Sequence, residues 1–198
     1  MKEKFLDNSL IMISKYNSKY TETDLEKMRY GLEGIYLTVF KMIVIIVASI
    51  VLNIFKEVML VLLFYNALRF FGFGMHARTS NECLFISSTL FILLPLLIFK
   101  DLISFNLILY IYPLLLLSFF LFAPADTVKR PLTNKKKRLK RKVATMIVAS
   151  IYIVICIVTE NMYVTRIISA ALIIESLMIS PVTYKLFGQS YNNYKNID

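Results

Sequence analysis

Lys135-Lys-Lys-Arg-Leu-Lys-Arg-Lys-Val-Ala-Thr-Met-Ile-Val-Ala-Ser-Ile-Tyr-Ile-Val-Ile-Cys-Ile-Val-Thr159 reads as two halves. Its first eight residues hold seven lysines and arginines, and the rest carries no charge at all. Such an apolar run is what a helix needs to cross a bilayer. Five more apolar segments surround it, at about 35–55, 58–71, 84–99, 102–123 and 162–180. The 198-residue chain is 58% hydrophobic and 18% charged, whereas a soluble domain has about 25% charged residues. These features predict an all-α, polytopic membrane helical bundle in a single membrane-embedded domain over 1–198. It has about six hydrophobic segments, of which four to six span. Segments 35–55 and 102–123 are full length. Segments 58–71 and 84–99 are shorter, and either span with help from their flanks or are partly re-entrant.

The basic half sets orientation. Between Pro124 and Lys142 nine basic residues stand against one acid, Asp126, a net +8 of the chain's +10. Lysine and arginine are retained on the cytoplasmic side, so the 124–142 loop is expected there. Counting spans in both directions puts the 70–83 stretch and both termini in the same compartment, in a multi-pass cell-membrane protein. The run either only sets topology or also docks something acidic. Nucleic acid is not expected, because the cluster lacks interleaved aromatics and a binding module. Residues 1–34 mix six basic with six acidic side chains and do not read as a cleavable signal peptide. Phe5, Leu6, Leu10, Ile13 and Tyr16 predict a short amphipathic helix at the membrane surface or against the bundle. Thr23–Tyr30 reads as a second short helix, with Thr23 as N-cap and Glu26 at N3.

One polar stretch interrupts the apolar pattern: Arg69-Phe-Phe-Gly-Phe-Gly-Met-His76-Ala-Arg-Thr-Ser-Asn-Glu-Cys83. It holds the chain's single histidine, seven residues before one of only two cysteines. Histidine accepts a proton near neutral pH, and a cysteine that loses one is a strong nucleophile. On one helix, seven residues separate the two by about 10 Å along the axis, too far for a base to reach its thiol. The chain must bend between them. Gly72 and Gly74 weaken a helix arriving from the N-terminal side. Thr79-Ser-Asn-Glu82 then reads as a capping box, which puts Cys83 in the first turn of a new helix, at the positive end of its dipole. Elsewhere, Glu175 lies inside the last apolar segment and is expected to face the bundle interior, opposite Asn66 or Arg69. Cys156, in Ile-Val-Ile-Cys-Ile-Val, reads as a small hydrophobe. No Cys pair or His cluster has metal-ligand spacing, so no metal or other cofactor is expected.

Two separated blocks carry a resemblance to a known family. The first is Arg69, Gly74, His76, Ala77 and Cys83. The second is Ala123-Pro-Ala-Asp-Thr127 followed by Arg130-Pro131 and the lysine run. Together they resemble the accessory gene regulator protein B (AgrB) membrane endopeptidases of Gram-positive bacteria, with similar length and hydropathy along nearly the whole chain. The resemblance implies a cysteine-type endopeptidase that cuts a membrane-bound AgrD-like precursor peptide. Cys83 would be the nucleophile and His76 its base. The acyl-enzyme thioester would pass to a Cys or Ser inside the precursor, closing a thiolactone or lactone ring, the core of a quorum-sensing autoinducer. Substrate-binding or supporting roles would fall to Arg69, Gly74, Ser80, Asp126, Lys129, Arg130, Lys135, Lys136 and Lys137. Ser80, Asn81 and Asp126 are the candidates for a third residue that orients His76, and Asp126 could equally cap a helix or pair with the basic loop. The bilayer and the precursor are the expected partners, and a homodimer is compatible with this reading. Two other classes stay open on the residues alone: a non-enzymatic transport or scaffold component, and a membrane thioester acyltransferase acting on lipid.

Overall fold

Each of the six apolar segments is helical. The structure is a computed structural model that describes residues 2–16, 20–75, 79–127, 131–159 and 161–196. Residues 1–47 and 48–198 form two compact units.

The first unit holds α1 (Lys2–Tyr16) and the first part of α2 (Glu22–Val51). Of the apolar residues that predict an amphipathic α1, only Leu6 is buried, and Phe5 meets the Tyr36 ring at 5.4 Å. Exposed ion pairs join the helices, Arg29 to Glu3 (2.6 Å) and Asp7 (2.8 Å), and such pairs stabilise little. The separate helix expected from Thr23 to Tyr30 is instead the start of α2, and its cap is Thr21 rather than Thr23. The Thr21 N–H donates to Asp24 Oδ2 (3.1 Å), and the Asp24 N–H donates to Thr21 Oγ1 (3.3 Å). Asp24 therefore closes the reciprocal cap that was assigned to Glu26.

The second unit contains α3 (Phe55–Gly72), α4 (Ser80–Ser88), α5 (Leu94–Phe99), α6 (Phe105–Tyr110), α7 (Tyr112–Phe122), α8 (Lys135–Val158), α9 (Met162–Ile179) and α10 (Pro181–Leu186). Four helical stretches among the described residues are long and apolar enough to cross a membrane: Glu22–Val51, Glu82–Phe99, Lys135–Val158 and Met162–Ile179. The chain is thus an all-α, multi-pass membrane protein. Segment 102–123, expected as one full span, is broken between α6 and α7 at Ile111. Pro113 lacks an N–H, and its ring crowds the carbonyl four residues earlier, so the helix cannot run through. Pro95 meets the same problem differently. A wide π-helical turn over Thr89–Leu93 makes room ahead of it, and α4 continues into α5. Segment 84–99 is therefore long enough after all. The basic loop also ends earlier than expected, because Lys135 already belongs to α8. Asn134 caps that helix by accepting from the Lys137 N–H (3.1 Å).

The core of this unit is α9, which packs against α3, α5, α7, α8 and α10. Ser169, Ala170 and Ala171 are all buried on it. Between helices in lipid the driving force is close packing and polar contact, and small residues permit both. The Tyr112 and Ser169 hydroxyls meet at 2.7 Å, and Ser176 donates to Ser118 at 2.9 Å. Arg166, near the start of α9, pairs with Asp101 and not with Glu175.

Candidate functional site

The helix α3 stops where its sequence turns to glycine. Phe73 and Gly74 take φ of 62° and 110°, and the Phe73 N–H still reaches the Arg69 carbonyl (3.0 Å). Beyond it the chain becomes a short extended strip held by two other elements. The Gly74 N–H donates to the Ala125 carbonyl (2.7 Å), and the Ala125 N–H donates to the Gly72 carbonyl (2.9 Å), a parallel bridge. The Met75 N–H donates to the Met178 carbonyl on α9 (2.9 Å). So the Ala123–Asp126 block of the sequence pairs directly with the Gly72–Met75 stretch.

A part-buried arginine and a fully buried glutamate meet under the strip. Arg69 Nη2 donates to the carbonyls of Gly74 (3.1 Å) and Met75 (2.6 Å). Its Nη1 lies 3.8 Å from Glu175 Oε2, and the Glu175 side chain has no exposure. The expectation that Glu175 faces the interior opposite Asn66 or Arg69 is met by Arg69. Both glycines now have a structural cause. A Cβ on Gly72 would lie 2.6 Å from Glu175 Oε1, and one on Gly74 would lie 2.0 Å from Arg69 Nη1. Tyr65, one turn before Arg69 on α3, is buried, with its ring centroid 6.0 Å from the Arg69 guanidinium carbon. Its ring packs edge-on against Phe91 at 4.8 Å. Sequence reasoning missed Tyr65; the four-residue spacing from Arg69 is the signal that could have found it.

The helix α4 begins as the capping box predicts. Thr79 Oγ1 accepts from the Glu82 N–H (3.2 Å), and the Thr79 N–H donates to Glu82 Oε2 (3.4 Å). Glu82 is thus drawn back to the cap. The Cys83 N–H donates to the Thr79 carbonyl (3.0 Å), which places a half-buried thiol in the first turn. The helix break between positions 76 and 83 is present, since α3 ends at Gly72 and α4 starts at Ser80. His76 itself lies outside the described residues, as do Lys129 and Arg130, and Ser80 and Asn81 are described only as the opening backbone of α4.

Asp126 acts as a staple. Its Oδ1 accepts from the Asn193 N–H (3.0 Å), and its Oδ2 accepts from the N–H groups of Leu132 (3.2 Å) and Tyr194 (2.8 Å). The Tyr184 hydroxyl donates to its backbone carbonyl (2.9 Å). Burial pushes the Tyr184 phenol well above its ordinary range, so it stays a donor at physiological pH. These contacts anchor the strip that pairs with Gly72–Met75 and tie it to the C-terminal segment.

The basic start of α8 closes the same region. Arg141 Nη1 donates to the Phe70 carbonyl (2.7 Å), and its guanidinium lies 4.3 Å from the Phe73 ring centroid. Phe70, Phe71, Lys137, Lys140, Arg141 and Ala144 line a groove there, while Lys135 and Lys136 are exposed. Cys156 is near the far end of α8, 3% exposed, with its Sγ donating to the Thr165 carbonyl (3.9 Å). It is a packing residue, as its apolar context predicts. Among the described residues no three His, Cys, Asp or Glu side chains come together as a metal set.

The model of a family described as Accessory gene regulator B matches residues 8–179. The chain is 34% identical over 189 residues to an AgrB-like protein of Listeria innocua, covering 95% of this chain and 92% of the relative. It is 29% identical over 171 residues to an AgrB-like protein of Clostridium acetobutylicum, covering 86% and 82%. It is 27% identical over 183 residues to accessory gene regulator protein B of Staphylococcus aureus, covering 91% and 97%. No solved structure matches this one. The matched span takes in the helix break, the capped cysteine and Asp126, and the chain belongs to the accessory gene regulator B family.

Proposed function

We propose that the protein is a membrane cysteine endopeptidase that processes an AgrD-like precursor into a cyclic quorum-sensing peptide. The observation that carries this reading is the half-buried Cys83 in the capped first turn of α4, seven residues after the single histidine, in a chain of this family. His76 takes the Cys83 proton, and Cys83 Sγ bonds to the scissile carbonyl carbon. The C–N bond breaks, and the leaving amine departs with the proton from His76. A Cys (or Ser) within the acylated part of the precursor then attacks the thioester. It closes a thiolactone or lactone and returns the thiol of Cys83. Exchange of one thioester for another is close to neutral, so the thiolactone needs no ATP. Backbone amides at the start of α4 are the simplest oxyanion donors, and a partly membrane-embedded site would keep water from the thioester. The direct test incubates the purified protein in vesicles with a precursor peptide and maps any hydroxylamine-sensitive adduct by mass spectrometry. An adduct on Cys83 is expected; one on another residue overturns the mechanism.

The site faces the cytoplasm in this reading, with both termini on that side. A cysteine introduced as Asn134→Cys, in a background lacking Cys156, should be shielded from an impermeant thiol reagent in intact cells. Asn161→Cys should be labelled from outside. The reverse pattern inverts the arrangement.

The basic turns serve as a dock for an acidic part of the precursor. Seven cations occupy the first eight residues of α8, at the positive end of its dipole, an arrangement that an anionic partner relieves. Replacing Lys135, Lys136 and Lys137 by Gln should raise KM several-fold to tens-fold with little change in kcat, the mark of lost uniform binding. The effect should shrink as salt rises, because exposed contacts are screened over about 8–10 Å. An unchanged KM at low ionic strength leaves the run with topology alone.

A further inference from the structure

Glu175 is a fully buried carboxyl group that the chemistry above does not use. Neither of its carboxylate oxygens has a hydrogen-bond partner, and Arg69 Nη1, which faces them, has none either. A charge at membrane depth is costly, so a carboxylate kept there answers some need. Packing alone is not that need, because an apolar pair of similar volume fills such a site as well or better. The surroundings are also shaped for it, since Gly72 leaves open the space that Oε1 occupies. The charged and titratable groups coupled to Glu175 among the described residues are Arg69 and Tyr65 of α3 and Tyr184 of α10.

The pair leads in one direction. The guanidinium is a rigid planar fork, so a carboxyl group 3.8 Å from Nη1 also biases where Nη2 points. Nη2 donates to the carbonyls of Gly74 and Met75, and the next residue is His76. We infer that Glu175 is a positioning residue: through Arg69 it fixes the backbone of Gly74 and Met75, directly before the residue read as the base. This inference rests on the reading of His76 and Cys83 as base and nucleophile.

The test uses the full-length protein in vesicles, in a Cys156→Ala background, with two readouts. One is the rate of Cys83 alkylation by iodoacetamide as a function of pH, which involves no substrate. The other is kcat and KM for precursor cleavage. His76→Ala defines the profile of a thiol that has lost its base. Glu175→Gln should move the alkylation profile most of the way to that of His76→Ala. It should lower kcat about ten- to a hundredfold, the scale of a misplaced catalytic group, with KM within about twofold. Glu175→Asp should recover part of both. The paired change Arg69→Leu with Glu175→Leu removes both side chains together, so it leaves no unpaired charge buried and serves as the second variant where Glu175→Gln does not fold. It should still give the His76→Ala profile. A wild-type alkylation profile in either the Gln or the paired variant overturns the inference and leaves the ion pair a packing feature. Identical profiles for wild type and His76→Ala would instead sink the base–nucleophile reading itself.

Discussion

Membranes carrying Cys83→Ala are expected to leave the precursor peptide uncut, with cleavage reduced by at least about a thousandfold, while the protein still inserts and accumulates normally. Removing a nucleophile removes the covalent route, and losses of this size or larger follow when a catalytic unit loses one member. Cys83→Ser should fare little better, because a hydroxyl is far less readily ionised than a thiol. The fold should not notice either change. Cys83 is only half-buried, and the cap that starts α4 is made by Thr79 and Glu82. Cys156→Ala is the matched control. That thiol is 3% exposed inside the bundle and far along α8 from the basic turns, so cleavage should stay within about twofold of wild type. Cleavage surviving in Cys83→Ala membranes would return the protein to the non-enzymatic class. Cleavage lost in Cys156→Ala but kept in Cys83→Ala would assign the wrong thiol.

Gly74→Ala is the substitution expected to damage the site most without touching the reacting groups. Two costs coincide there. At φ of 110° an L-residue is strained, by about 1–3 kcal/mol. The added methyl would also lie 2.0 Å from Arg69 Nη1 and 2.9 Å from the Met178 carbonyl, so the guanidinium must leave its place. Displacing Arg69 also takes the guanidinium away from the buried Glu175 carboxyl and from the carbonyls of Gly74 and Met75, which adds to the cost. Thermal unfolding and protease resistance in detergent should both fall sharply, and peptide cleavage with them. Gly72→Ala should be milder. Its clash is with Glu175 Oε1, the far end of a side chain that can yield. Gly31→Ala and Gly34→Ala meet nothing within 4 Å and should be neutral or stabilising by about 0.5–1 kcal/mol, as expected for a helical glycine. If Gly74→Ala matches those two in unfolding temperature, the account of the strip is wrong.

Much of the architecture is written in short-range signals. Apolar runs determine six helical segments, because a helix satisfies its backbone within itself in lipid, whatever surrounds it. The Thr79–Glu82 box determines where α4 starts and hence that Cys83 lies in a first turn, since a cap needs only residues three apart. A carboxylate in an apolar segment determines that Glu175 turns inward. Short-range signals also explain most of the errors. Asp24 three residues after Thr21 and Pro113 inside segment 102–123 were present to be read, and each decides a boundary locally.

What only the tertiary structure decided are the pairings between distant segments. Phe73 lies beside Ala125, Met75 beside Met178, and Asp126 collects amides from Leu132, Asn193 and Tyr194. No spacing rule connects residue 126 to residue 194, because that contact depends on how α9 and α10 return the chain. The choice of Arg69 over Asn66 as the partner of Glu175 belongs here too. Both lie on α3, and only the way α3 packs on α9 brings one of them to the carboxylate. The same packing explains why Gly72 and Gly74 are glycines. Read along the chain they are helix breakers; in three dimensions they are the space taken by the Arg69–Glu175 pair formed between helices.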